Sequence, residues 1–240
     1  MAGHSKWANI KHRKDRADRV KGKLFSRVTK EIITAVKLGG ADVKTNSRLR
    51  LALQKAREVN MPNDNIERNI KKATSADQAA FVEVMYELYG YGGVGILVEA
   101  MTDNKNRSAS EIRIALNKRG GTQASPGAVA FNFDHKGVIQ VSKQGVKEDE
   151  LFLVATDAGA EDFEADEEVF IITTAPDALF QVKEAVEAKG MKVESGELQW
   201  LPKVWIECSG EERRANLELI DWLENLEDMD VVYHNMKVEG

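Results

Sequence analysis

The chain has a single cysteine, Cys208, in 240 residues. One thiol excludes an intramolecular disulfide and any cysteine-based metal cluster, and it fits a reducing compartment. Long apolar runs are also missing: no stretch approaches the ~18–20 residues needed to cross a bilayer. The N-terminus is charged from Lys6 onward and lacks the apolar segment of a secretory signal. Asp15 and Asp18 interrupt a basic stretch that a mitochondrial transit peptide would keep poor in acids. A cytoplasmic protein without membrane contact is expected. Histidine is scarce: His4, His12, His135 and His234 stand apart, and there is no H-E-x-x-H, so no metal is expected. No G-x-S-x-G motif occurs and no His lies near Cys208 in sequence. Catalysis thus has no constellation to rest on. A non-enzyme with no cofactor and no small-molecule substrate is the expectation.

What is present is charge, divided unevenly. The chain is 42% hydrophobic and 30% charged with a net −5, ordinary for globular protein and enough for one large domain or two to three small ones. Its first 72 residues carry 19 Lys+Arg against 7 Asp+Glu, a net +12, whereas the remaining 168 carry 15 against 32, a net −17. A basic end on an acidic chain is the footprint of a polyanion-binding surface. The density peaks at Lys6, Lys11, Arg13, Lys14, Arg16, Arg19, Lys21, Lys23 and Arg27, which surround one aromatic, Trp7. Trp7 can stack on a base or pin the arm onto the helices.

From Leu24 apolar residues recur at helical spacing (Leu24, Phe25, Val28, Ile32, Ala35, Val36), and Gly39-Gly40 is a helix stop. A second helix through Leu49, Ala52, Leu53, Ala56 and Val59 closes before Pro62. A third is marked by Asp64-Asn65-Ile66-Glu67, an Asp-x-x-Glu capping box. Residues 24–73 thus read as three helices with basic outer faces (Arg27, Lys30, Arg48, Arg50, Lys55, Arg57, Arg68, Lys71, Lys72), preceded by an arm and followed by a polar linker, Ala73–Gln78. Then the pattern becomes mixed. Strands at Phe81–Leu88 and Val94–Met101, a helix at Ser108–Lys118 and a strand at Ala128–Phe133 come first. A strand at Gly137–Ser142, a helix at Glu148–Ala158, strands at Asp162–Ala165 and Val169–Thr173, a helix at Asp177–Ala188 and a strand at Lys192–Trp200 follow, the β-α-β-β-α-β order of a ferredoxin-like sandwich. The last strand, helix and strand (Lys203–Cys208, Glu211–Leu226, Asp230–Asn235) are too few to fold alone and are expected to complete the sheet begun at residue 81. The predicted fold is α+β: an N-terminal three-helix domain (1–75), a discontinuous ferredoxin-like domain (76–135 plus 202–240) and an inserted acidic ferredoxin-like domain (136–201).

Glycines 90, 92 and 95 spell G-x-G-x-x-G. A dinucleotide site needs that pattern between a strand and a helix N-terminus, but Ile-Leu-Val-Glu-Ala-Met follows, so a flexible hairpin turn is expected. Asp157–Glu168 holds seven acids and no base, without the loop of an EF-hand. It reads as a hairpin edge blunted by charge.

The stretches Ala2-Gly3-His4-Ser5-Lys6-Trp7-Ala8-Asn9-Ile10-Lys11, Lys21-Gly22-Lys23-Leu24-Phe25, Lys37-Leu38-Gly39-Gly40, Asn60-Met61-Pro62 and Thr102-Asp103-Asn104-Lys105-Asn106-Arg107 resemble the YebC/PmpR family, as do Ala158-Gly159-Ala160-Glu161-Asp162 and Val232-Tyr233-His234-Asn235. The likeness spans the chain. It implies three domains with the middle one discontinuous, no catalytic residues, and the DNA-binding transcriptional role usually ascribed to members. Mitochondrial relatives that activate translation, and bacterial ones implicated in rescuing ribosomes stalled at proline runs, supply the alternative. The chain departs from the family's Y-E-G-Y-G-P-G-G turn at Leu88 and Tyr91.

The partners expected are therefore DNA and/or rRNA or tRNA on the ribosome. The chain has no heptad zipper and is expected to be a monomer. The candidate contacts are Lys6, Trp7, Lys11, Arg13, Lys14, Arg16, Arg19, Lys21, Lys23, Arg27, Arg57, Arg68, Lys71 and Lys72. The third helix offers few side chains suited to base edges beyond Asn65, Arg68 and Asn69, which favours phosphate contact.

Overall fold

The computed structural model describes residues 17–75 and 80–238, with side chains from residue 22 onward. They form two compact units, residues 17–129 with 206–236, and residues 130–205 with 237–238. The first unit opens with helices α1 (Ala17–Gly39), α2 (Ser47–Glu58) and α3 (Asn63–Ala73). Helix α1 is already formed at Ala17, ahead of the apolar stripe that begins at Leu24, because Ala, Arg and Lys sustain a helix without one. Val28, Ile32, Ala35 and Val36 pack with Leu49, Ala52, Ala56 and Ile66 in one core. Gly39-Gly40 stops α1 as expected. Gly40 takes φ +80, and the missing Cβ of Gly39 leaves room for Asn46. Asn46 is buried and caps both sides of the turn: its Oδ1 accepts from Leu49 N–H at 3.0 Å, and its Nδ2 donates to Ala35 O and Gly40 O. The expected capping box at Asp64–Glu67 is not formed. Pro62 precedes the first helical residue and no side chain caps it, which leaves Asp64 inside the first turn, where it suits the positive end of the helix dipole. The capping box lies elsewhere, at Ser209–Glu212.

The sheet of this unit has the order β3-β1-β2-β8, from β1 (Val82–Tyr89), β2 (Gly95–Thr102), β3 (Thr122–Gln123) and β8 (Met229–His234). Helix α4 (Lys105–Arg119) follows β2, and α7 (Gly210–Asn225) precedes β8. The strand expected at 128–133 is replaced by the two-residue β3 and a 3-10 turn at Ala130–Asn132. The strand expected at 203–208 reduces to one bridge, Ile206 to Met236. Strand alternation separates the two sheet faces. Tyr86, paired with Val98, bonds Lys105 O, so the Val98 face carries α4. Ile96, on that same face, lies beside Asn216 of α7. Glu99 points the other way, to Arg27 of α1. Helices thus cover both faces, which is why β2 is buried along nearly its whole length.

The second unit holds β4 (Phe133–Ser142), α5 (Glu148–Asp157), β5 (Ala160–Ala165), β6 (Val169–Thr174), α6 (Leu179–Ala188) and β7 (Val193–Pro202). Its antiparallel order, β5-β6-β4-β7, is the expected split βαβ arrangement. Ile139, Val141, Phe170 and Ile172 meet Leu151 and Ala155 of α5 and Leu179 and Val182 of α6. The acidic stretch forms edge strand β5 and its turn, where charge discourages strand addition.

The turn between α7 and β8 ties the first unit together. Buried Asp228 accepts from Thr102 Oγ1 (2.9 Å), Ser108 Oγ (2.7 Å) and Arg107 Nη2 (2.8 Å). Burial works against its charge, but these donors outweigh it and hold the carboxyl below its ordinary value. On the other side Lys23 Nζ donates to Met229 O at 2.6 Å, and Lys30 Nζ donates to Glu227 O at 3.2 Å. Lys30 also lies 3.6 Å from Asp230 Oδ1, with both side chains only 7% exposed. Desolvation dominates there: it pushes Asp230 up to about 6 despite the nearby Lys30, Arg27 and Lys23.

Two outcomes follow for stability. Asp228→Ala leaves two hydroxyls and a guanidinium without their acceptor, and denaturant unfolding should show a loss of about 3 kcal/mol. The two carboxyls have opposite pH signs. Asp228, with a lowered pKa, stabilises above the unfolded value of 3.8, and that contribution is lost as pH falls below it. Asp230, raised from 3.8 to about 6, binds its proton more tightly in the folded state, so its contribution is lost as pH rises across that window. Unfolding midpoints measured from about pH 4 to pH 7 should therefore show a fall that Asp230→Asn removes; an unchanged profile in that variant would refute the assignment.

Candidate nucleic-acid interface

Of the basic residues predicted to touch a polyanion, Lys6, Trp7, Lys11, Arg13, Lys14 and Arg16 lie outside the described residues, as do His4 and His12. Arg19 and Lys21 fall in the first turns of α1, where the backbone alone is described. Lys23 and Arg27 are not on an open face. Lys23 is tied to the carbonyls at 226 and 229, and Arg27 reaches Glu99 at 3.6 Å and Glu31 at 3.5 Å. Lys30, expected on an outer face, is buried. The reason is that α1 lays these three side chains over the β8 edge, where carbonyls and carboxylates take up their donors. Burial accordingly lowers the Lys23 pKa.

The remaining predicted residues stay free. Arg57, Arg68, Lys71 and Lys72 are exposed, and their charged ends make no ion pair or hydrogen bond among the described residues. Arg48 and Lys44 share that state. Others in the same domain are occupied: Lys55 bonds Glu31, Arg50 bonds Val43 O and Lys44 O, and Lys37 bonds Ser75 O. Arg68, Lys71 and Lys72 stand at i, i+3 and i+4, so one face of α3 presents all three. The N-terminal half of α3 exposes Asp64 and Glu67 instead. Carboxylates there oppose insertion of the helix N-terminus into a groove walled by phosphates. The arrangement can therefore hold phosphates along the last turns of α3 and the outer side of α2.

The glycine-rich turn is a hairpin, as read from its context, but it is clamped where flexibility was expected. Asn216 Oδ1 accepts from Tyr91 N–H at 2.8 Å and its Nδ2 donates to Tyr91 O at 3.0 Å. Asn235 Oδ1 accepts from Gly95 N–H. Gly90 is required because a Cβ would strike Asn216, and the Tyr91 ring lies against Gly120 in the same way. Of the two departures from the family turn, Leu88 is fully buried in the sheet and Tyr91 supplies the backbone held by Asn216. Sequence reasoning missed Asn216. The signal was a polar residue in the apolar stripe Leu219, Ile220, Leu223 of α7.

The second unit shares its strand order with sandwiches that stack RNA bases on their open sheet face. Here that face carries Val138, Val169 and Ile171, with Gln140 and the acids Asp162 and Glu164, and no aromatic on β4 or β6. His135 stacks on Trp200 at 4.7 Å, on the helix-covered side. Among the described residues no group of three or more His, Cys, Asp or Glu is placed to hold a metal, and no helix is long and apolar enough to cross a membrane.

Two family models match the chain: the TACO1/YebC protein N-terminal domain over residues 5–76, and the TACO1/YebC second and third domain over residues 81–236. A probable transcriptional regulatory protein of Protochlamydia amoebophila is 66% identical over 99% of this chain and 97% of its own length. One of Chlamydia pneumoniae, described in the same words, is 59% identical over 98% of this chain and all of its own. The crystal structure of a conserved hypothetical protein from Aquifex aeolicus superposes with a TM-score of 0.81 at 41% identity, covering 98% of this chain and 97% of that one. These matches account for both the N-terminal helices and the two α+β sheets, and the chain belongs to the TACO1/YebC family.

Proposed function

We propose that this chain is a non-enzymatic regulator of gene expression that acts by binding nucleic acid, as a cytoplasmic monomer without a cofactor. The observation that carries the reading is the set of unpaired cations on α2 and α3, Arg57, Arg68, Lys71 and Lys72, within a segment of net +12. The segment from Lys6 to Lys21 adds seven Lys and Arg of the same sign to the charge available for a polyanion. Relatives described as probable transcriptional regulatory proteins support the regulatory role, and DNA at a promoter is the first target it suggests. The alternative, ribosomal or transfer RNA with a role in translation, is favoured by one feature of α3. Its N-terminal half exposes Asp64 and Glu67 where a base-reading helix would meet the groove. Contact with phosphates needs no such reading.

Ribosome co-sedimentation and promoter footprinting on one lysate separate the two targets. The quadruple variant Arg57→Gln, Arg68→Gln, Lys71→Gln, Lys72→Gln should fold normally, since exposed substitutions shift stability by about ±0.5 kcal/mol. Its affinity should drop, and the salt slope on duplex DNA should shallow by about 0.9 for each phosphate no longer neutralised. Replacing Lys6, Lys11, Arg13 and Lys14 by Gln should act the same way. If both variants bind as the parent does, the basic segment is not the working surface.

A further inference from the structure

Helix α4 is an exception in the acidic part of the chain. It holds Lys105, Arg107, Arg113, Lys118 and Arg119, five of the fifteen Lys and Arg between residues 73 and 240, against one acid, Glu111. Arg107 and Arg119 are engaged, with Asp228 and Glu218. Lys105, Arg113 and Lys118 are exposed, and their charged ends have no partner among the described residues. Opposite the core residues Ile112, Ala115 and Leu116 runs a stripe of exposed Asn106, Ser110, Arg113 and Asn117. They follow the spacing i, i+4, i+7, i+11 of a single helical face, about 16 Å long. No carboxylate stands on this stripe. The exposed side of neighbouring α7, by contrast, mixes Glu211 and Glu218 with Arg214.

Amides and a hydroxyl beside an arginine match one chemistry well. Arginine takes phosphate, and Asn and Ser can each donate to or accept from a ribose 2′-hydroxyl, the group that distinguishes RNA from DNA. The stripe also lies on the far side of the sheet from the N-terminal helices, because α4 covers the Val98 face and α1 the Glu99 face. We infer that α4 is a second nucleic-acid face, selective for RNA, and that the chain holds two RNA segments at once, one on each side of the β3-β1-β2-β8 sheet. This rests on the nucleic-acid reading above.

The test is a bridging assay on the full chain with two short RNA hairpins, one biotinylated and one fluorescent. The parent should co-capture the second hairpin, and unlabelled RNA hairpin should compete at the α4 face at least tenfold better than a DNA hairpin of the same sequence. The variant Asn106→Ala, Ser110→Ala, Arg113→Gln, Asn117→Ala changes only exposed residues, and circular dichroism and thermal unfolding should match the parent. It should keep single-hairpin binding within about twofold and lose co-capture at least tenfold. Co-capture that survives in this variant overturns the second face, as does a parent that binds one hairpin but never two. Equal competition by DNA overturns the RNA selectivity. A parent that binds no nucleic acid fails the earlier reading as well, whereas a parent that binds one hairpin, and loses it in the Arg57→Gln, Arg68→Gln, Lys71→Gln, Lys72→Gln variant, fails the second face alone.

Discussion

The five residues Leu226–Asp230 are the point on which the larger unit depends. In one direction Asp228 gathers Thr102, Arg107 and Ser108, which fixes the start of α4 against the end of β2. In the other, the carbonyls at 226, 227 and 229 and the Asp230 carboxylate receive Lys23 and Lys30 of α1. A single turn therefore fixes helices on both faces of the sheet. The two carboxylates are held differently: Asp228 is fully supplied with donors, whereas Asp230 is desolvated more than its neighbours compensate. A buried ion pair of the second kind adds little net stability but strongly disfavours any arrangement that leaves one charge alone. It fixes which residues of α1 face the sheet.

That constraint also explains the division of labour among the N-terminal cations. Charge density along the chain does not distinguish a lysine aimed at solvent from one aimed at a carbonyl. Lys23, Arg27 and Lys30 follow one another at i, i+4 and i+7 and so share the side of α1 that meets β8. Arg57, Arg68, Lys71 and Lys72 sit on helices that bury only their small apolar faces. The first group builds the domain junction, and the second is left available to a partner.

Much of the architecture was legible because the relevant signals are local. The β-α-β-β-α-β order of residues 133–202 follows from periodicity, and Gly39-Gly40 marks the end of α1. The discontinuity of the other sheet follows because β8 has no local partner and must pair with β2. What stayed hidden depends on distant contacts. Residues 203–208 have strand-like composition, but their backbone makes scattered bonds, to Asn132 O and Asn235 O, and a single bridge from Ile206 to Met236 in place of a ladder. Lys30 looks like any helical surface lysine until the turn at 227–230, some two hundred positions away, is placed over it. The clamp of Asn216 on Tyr91 is equally non-local, with 125 positions between the partners. For the candidate interface, sequence identified the charged segment, while the selection of free cations within it required the fold.

The placement of β8 has a consequence for synthesis. Lys23 and Met229 are 206 positions apart, so the junction forms only when the turn at 226–230 has left the ribosome. The three N-terminal helices and the inserted sandwich each have their own core and can fold earlier, whereas β1 and β2 must wait as an unfinished hairpin for their last strand. During that interval the lysines of α1 have no acidic turn to occupy them. Arrival of the turn at 226–230 therefore withdraws Lys23 and Lys30 from the basic surface.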